Sequence, residues 1–297
     1  MSTLKRISSR ANPLVKLLRR VARGGSPRQR DGWVWLEGIH LCEEYLARIG
    51  QPHLAVFDAR RLEPARGGVP TTWPDVRATE AVPAVESGSP VSEVVLQDLY
   101  RAIEPDRAVL LAGDVMEAVS EIAADQGVGF LVEQPGARLP SAIRQRCVLL
   151  DRIQDPGNVG SIIRTCAAAG IGTIILLEGS ASAWSSKVLR AGQGAHFALD
   201  VYDQVSATEA AACLDVPVLA TCLEDARSLY DAPLPAECAW VFGQEGQGVS
   251  RFWLERANER IHIPQAPGVE SLNVGAAAAV CLFEQRRQML ARGVNAR

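Results

Sequence analysis

The 297-residue chain has no apolar run near the ~20 residues that span a bilayer, so no transmembrane helix is predicted. Its first residues, Met1-Ser-Thr-Leu-Lys-Arg, lack the continuous apolar stretch of a secretory signal. Seven cysteines occur at 42, 147, 166, 213, 222, 238 and 281, with no Cys-x-x-Cys pair among them. An odd, scattered set in apolar surroundings reads as free thiols, and points to a reducing, cytoplasmic setting. Histidine is scarce: His40, His53, His196 and His262 are not spaced with Cys or Glu as zinc ligands would be, so no metal is expected. A Walker phosphate loop and a dinucleotide Gly-x-Gly-x-x-Gly are both missing, which argues against a nucleotide hydrolase or a dehydrogenase. No internal repeat is evident. Acidic residues are absent from residues 1–30.

That last absence exposes a strong asymmetry. Residues 1–30 carry nine Lys/Arg, leaving 22 basic and 34 acidic side chains in the remainder, a net of −12 there against −3 overall. A one-signed basic arm is an electrostatic footprint for a phosphate backbone. The competing reading is an amphipathic helix through Leu14, Leu17, Leu18 and Val21 with a solvated charged face, and both can hold at once.

Length and pattern predict two α/β domains. In residues 31–134, strands are expected at Trp33–Gly38, His53–Asp58, Val94–Gln97, Ala108–Ala112 and Val128–Glu133. Helices are expected at Ile39–Ile49 and Val115–Ala124. Residues 60–92, rich in Pro and Gly, read as a long loop. Pro135-Gly-Ala-Arg-Leu-Pro140 opens a linker over 135–146. From residue 147 to 297, short apolar strands (Cys147–Leu150, Thr173–Leu177, Pro217–Thr221, Ala239–Phe242, Arg260–Ile263) alternate with helices. The helices are Val159–Ala169, Lys187–Gly192, Ala207–Cys213, Ser250–Ala257 and Val274–Leu290. This alternation predicts a parallel sheet covered on both faces.

Three segments carry candidate chemistry. In Asp155-Pro-Gly-Asn158, Asn158 reads as a helix N-cap. The following helix buries Val159, Ile162, Ile163 and Cys166, which turns Arg164 away from that stripe, toward a cleft or a partner subunit. The second segment, Gly243-Gln-Glu-Gly-Gln-Gly248, is a loop whose glycines allow close approach of backbone to a ligand. In it, Glu245 is a candidate hydrogen-bond acceptor. In the third, Ser271 and Asn273 flank Leu272 at a helix start, where simple capping is the competing reading.

In order and spacing these segments resemble the three motifs of the SpoU-type (TrmH-like) RNA ribose 2′-O-methyltransferases. Asn158-Val-Gly-Ser-Ile-Ile-Arg-Thr matches the first, Phe242 through Ser250 the second, and Ile263-Pro through Asn273-Val the third. The likeness covers roughly 147–290. Residues 31–134 resemble, more weakly, the ribosomal-protein-like substrate-binding domain of rRNA-modifying members.

The resemblance implies a C-terminal α/β domain with a deep trefoil knot, an exception to the general rule against knots. It implies S-adenosylmethionine bound by Gly243, Ile263 and Leu272, with Gly246 and Cys222 nearby. Asn158, Arg164, Glu245, Ser271 and Asn273 would form the catalytic constellation at a homodimer interface. The implied reaction is methyl transfer to a ribose 2′-hydroxyl of RNA, with rRNA favoured over tRNA. A tRNA enzyme and a non-catalytic RNA-binding assembly factor are the alternatives.

Overall fold

The computed structural model describes residues 5–23, 32–62, 90–121, 126–136, 138–268 and 271–293. The chain divides into two compact units, residues 1–134 and 135–297.

The first unit contains β1 (Lys5–Ile7), α1 (Pro13–Ala22), β2 (Trp33–Glu37), α2 (Ile39–Arg48), β3 (Leu54–Asp58) and α3 (Ala59–Leu62). It continues with α4 (Pro90–Ala102), β4 (Ala108–Leu111), α5 (Gly113–Val119) and β5 (Val128–Glu133). Its sheet has the order β1-β4-β3-β5-β2, parallel from β1 to β3 and antiparallel from β3 to β2. The described part of the basic segment is not a separate arm. Asn12 caps α1, its side chain accepting from the Leu14 N–H at 2.9 Å, and Pro13 takes the first helical position, where no amide is needed. Ile7, Val15, Leu18, Val21 and Ala22 are buried in one core with Trp35, Val56, Val109 and Leu131. Lys5, Arg6, Lys16 and Arg20 stay exposed on the other side.

A second correction concerns Val94–Gln97, read as a strand and found inside α4. Its β-branched run misleads; Leu96, Leu99 and Ile103 are buried at helical spacing, and packing decides. The helix expected over Val115–Ala124 ends at Val119, and residues 122–125 lie outside the described residues. Most of the loop read at 60–92 also lies outside them; its ends belong to α3 and α4.

The second unit contains β6 (Cys147–Asp151), α6 (Pro156–Ala169), β7 (Thr173–Leu177), α7 (Ser186–Gly192), β8 (Asp200–Val205) and α8 (Ala207–Cys213). Then come β9 (Val218–Thr221), β10 (Arg227–Ser228), β11 (Ala239–Gly243), α9 (Arg251–Leu254), β12 (Glu259–His262) and α10 (Val274–Ala291). Its seven strands run β10-β12-β9-β11-β6-β7-β8, all neighbouring pairs parallel. Every residue of β6, β7 and β11 is buried, as strands covered on both faces require. Each fully buried Leu, Ile or Phe contributes about 1.5–3 kcal/mol by leaving water. Trp240 in β11 stacks on Phe242, and its indole N–H donates at 3.1 Å to Gln285 of α10. The Gln285 amide donates in turn to the Pro235 carbonyl at 2.8 Å, so this buried polar pair is satisfied. The segment read as a linker is partly core: Ile143 is buried and bridges Leu214.

Parallel pairing gives every strand of this sheet the same direction. The carboxyl ends of β6, β9, β11 and β12 therefore open onto one edge, and the loops that follow them meet there.

Candidate active site

At that edge lies a cavity of about 660 Å³, walled by the loops after β9, β11 and β12 and by the start of α10. Gly243, Gly246, Cys222, Ile263 and Leu272, the five residues matched to cofactor contacts, all line it, as do Glu245 and Ser271. Gly243 ends β11, and a Cβ there would sit 2.1 Å from the backbone of Gly248 and Val249. Any side chain would force the loop open. The Gly248 N–H donates to the Gln244 carbonyl at 2.8 Å and closes the loop. Burial raises the Cys222 thiol above its ordinary value, with Arg260 opposing, so it lines the wall as a neutral thiol.

Asn158 is not the cap of α6. That role belongs to Asp155, whose Oδ1 accepts from the Asn158 N–H at 2.8 Å, with Pro156 at the first helical position. The Asn158 side chain is thereby released for other partners. Its Nδ2 donates to Glu245 Oε1 at 2.6 Å, and its Oδ1 accepts from Asn273 Nδ2 at 2.9 Å. Asn273 does cap its helix: Oδ1 accepts from the N–H groups of Gly275 and Ala276. For Asn273, capping and site chemistry coexist.

These bonds form a directed relay. The first amides of α10 fix the Asn273 carbonyl oxygen, which points its NH₂ at Asn158. Asn158 in turn points its own NH₂ at Glu245. A carboxylate on the cavity wall is thus oriented from the N-terminus of an 18-residue helix. Glu245 keeps its second oxygen without a partner among the described residues.

Arg164 stands apart. It is exposed on α6, about 9 Å along the axis from Asn158, and its side chain makes no hydrogen bond or ion pair to another described residue. Ser271 is exposed at the cavity rim. Sequence reasoning missed Asp151, Arg152 and Gln247. Asp151, at the end of β6, is 3% exposed and accepts from the Ser250 N–H at 2.6 Å. Only the acid at a strand's carboxyl end hinted at it.

Known proteins can be set beside this geometry. Residues 145–283 match the model of the SpoU rRNA Methylase family. The 23S rRNA (guanosine(2553)-2′-O)-methyltransferase RlmP of Bacillus subtilis is 32% identical over 68% of this chain and 84% of its own length. The chain belongs to the SpoU family. A protein of Synechocystis sp. named as an uncharacterized tRNA/rRNA methyltransferase is 31% identical over 98% of this chain and 96% of its own. Among solved structures, the SpoU methyltransferase AviRb of Streptomyces viridochromogenes, in complex with AdoMet, superposes with a TM-score of 0.73. It covers 94% of this chain and 100% of its own at 20% identity, a likeness of fold. Among the described residues there is no helix long and apolar enough to cross a membrane and no His/Cys/Asp/Glu group suited to a metal ion.

The residues present fit S-adenosylmethionine. Leu223 and Leu272 line the cavity while 62% and 40% exposed, apolar surface of the kind that an adenine ring covers. The Cβ position of Gly246 meets no atom within 4 Å, so open space faces loop backbone. Glu224, Asp225 and Glu245 also line the wall and suit a sulfonium cation.

Proposed function

We propose that this SpoU-family chain is an S-adenosylmethionine-dependent methyltransferase acting on a ribose 2′-hydroxyl of 23S-type ribosomal RNA. The relay from the α10 amides through Asn273 and Asn158 to Glu245, on the rim of the cavity, carries this reading. The activities named for the relatives support it. When bound, the cofactor supplies a methyl group already activated by positive sulfur.

The chain's own work is then positioning. Gly243, Gly246, Ile263 and Leu272 hold the cofactor largely through backbone and apolar contact. The free oxygen of Glu245 accepts a hydrogen bond from the incoming ribose hydroxyl and would take its proton on methyl transfer, and Ser271 offers a further polar contact at the rim. Arg164 stays protonated as a guanidinium, with no lone pair to accept a proton, so it does not remove the hydroxyl proton. It grips a phosphate bidentately and stabilises negative charge developing on the attacking oxygen.

The same reading makes the protein a cytoplasmic homodimer with a trefoil-knotted C-terminal segment. Arg164 turned away from its own network supports the dimer, as do exposed Phe283 and Leu290, seven residues apart on one side of α10. The return of α10 onto α6, after β12 has been laid beyond β9, supports the knot. Residues 1–134, with their exposed cations, would bind the RNA.

Mapping ribose methylation across total RNA with and without the protein tests the activity. One 23S-type position should lose its methyl group; a lost position in tRNA would replace the substrate, and no lost position would overturn the enzyme reading. In the purified enzyme, Arg164→Lys should cut the rate by about 10²-fold, because an ammonium cannot grip bidentately. A rate near wild type would remove that role.

A further inference from the structure

Four non-glycine described residues have positive φ, and one of them, Arg152 (φ 61°), follows the last residue of β6. A long side chain is disfavoured in that conformation, so its retention calls for a compensating contact. The contacts are specific. Arg152 Nε donates to Asp151 Oδ1 and its Nη1 to Gln247 Oε1, both at 3.3 Å. Its stem also packs closely over Gly179, whose Cβ position lies 3.3 Å from Arg152 Cγ.

Asp151 and Arg152 hold the glycine loop at three points. Its start is fixed by strand register, Gly243 opposite Asp151. Its end is fixed by the Ser250 N–H on Asp151 Oδ2. Its middle is fixed by Gln247 on Arg152. Glu245 lies between the first and second points, and its carboxylate must meet Asn158 across the site.

We infer that Arg152 is a positioning residue, a brace that fixes the Gly243–Gly248 loop and so holds Glu245 and the cofactor-facing backbone in register. The consequence for cofactor binding rests on the function proposed above; the brace itself does not. Arg152 is not among the residues that line the cavity and acts through Gln247 and Asp151.

The test compares the full chain with Arg152→Gly, Gln247→Ala and the double variant. Glycine relieves the backbone strain, so a merely structural arginine would leave the loop as it was. The brace predicts that the thermal midpoint of Arg152→Gly holds or rises while amide hydrogen exchange in residues 244–250 quickens by roughly 10-fold. S-adenosylmethionine affinity, measured by calorimetry, should fall by about 5- to 10-fold. Gln247→Ala should reproduce the faster exchange, and the double variant should add nothing to it. Exchange in 244–250 unchanged by Arg152→Gly overturns the brace, whether or not the cofactor binds. Faster exchange in a protein whose wild type binds no S-adenosylmethionine upholds the brace and sinks the cofactor reading instead.

Discussion

In the N-terminal sheet, β5 runs antiparallel to both β3 and β2, so strand ends and their loops face opposite edges. In the C-terminal sheet all six neighbouring pairs are parallel, and the loops after β6, β9, β11 and β12 share one edge. Asn158, Glu245 and Asn273 lie 87 and 115 residues apart from one another in sequence, yet they join in one hydrogen-bonded chain there. The first unit instead buries the inner face of its basic segment and leaves Lys5, Arg6, Lys16 and Arg20 exposed. One sheet concentrates polar groups at a point; the other spreads charge over a surface. Chemistry suits the first arrangement, and recognition of an extended polyanion suits the second.

The largest effect expected from that division is on rate. Asn158→Ala removes the middle of the relay and should lower single-turnover methylation by about 10²- to 10³-fold, with S-adenosylmethionine affinity nearly unchanged. An equal loss of cofactor affinity would show that the polar cluster serves the cavity and not the ribose.

The next effect separates the units by pH. His196, 1% exposed, is held neutral by burial, which lowers its pKa from 6.5 to about 4. Its Nε2 meets the Ala183 carbonyl at 3.0 Å. In the unfolded chain the ring takes a proton near pH 6.5, in the folded one only near 4. Between those values the unfolded state binds more protons, so stability falls as the pH drops through that window, by about 3 kcal/mol at most. His40 and His53 of the first unit are exposed. Melting followed separately in the two units at pH 7.5 and 5 should therefore show acid loosening the second unit more. Equal loosening, or no change on His196→Asn, would break the contrast.

The smallest effect belongs to the basic surface. Removing residues 1–30 would strip Val15 and Leu18 from a core, so neutralisation is the cleaner experiment. Lys5→Gln with Lys16→Gln should weaken RNA binding about 10-fold and reduce the salt slope by about 1 to 2. An unchanged slope would take recognition away from this surface.

The sequence was most legible where burial is complete. Strands β6, β7 and β11 stand out as apolar runs because both faces are covered. At the sheet's margins that signal disappears. Asp200-Val-Tyr-Asp-Gln-Val mixes polar residues along the last strand, and β10 is two residues long; neither was read as a strand. Asn158, Glu245 and Asn273 could be named from their motifs, yet the cap at Asp155 displaced the local role first given to Asn158. The Asp151–Arg152 contacts reach 99 and 95 residues along the chain and leave no periodic trace.

The relay has a temporal consequence. Glu245 is aimed from the first amides of α10, a helix synthesised about 30 residues after the glycine loop. A nascent chain that has completed the glycine loop already carries its carboxylate, Asn158 and part of the cavity wall, but Asn273, which fixes the Asn158 amide, is still missing. Translation therefore delivers the orienting element late, and on the proposed function a ribosome-bound fragment lacking residues 274–291 should be catalytically mute.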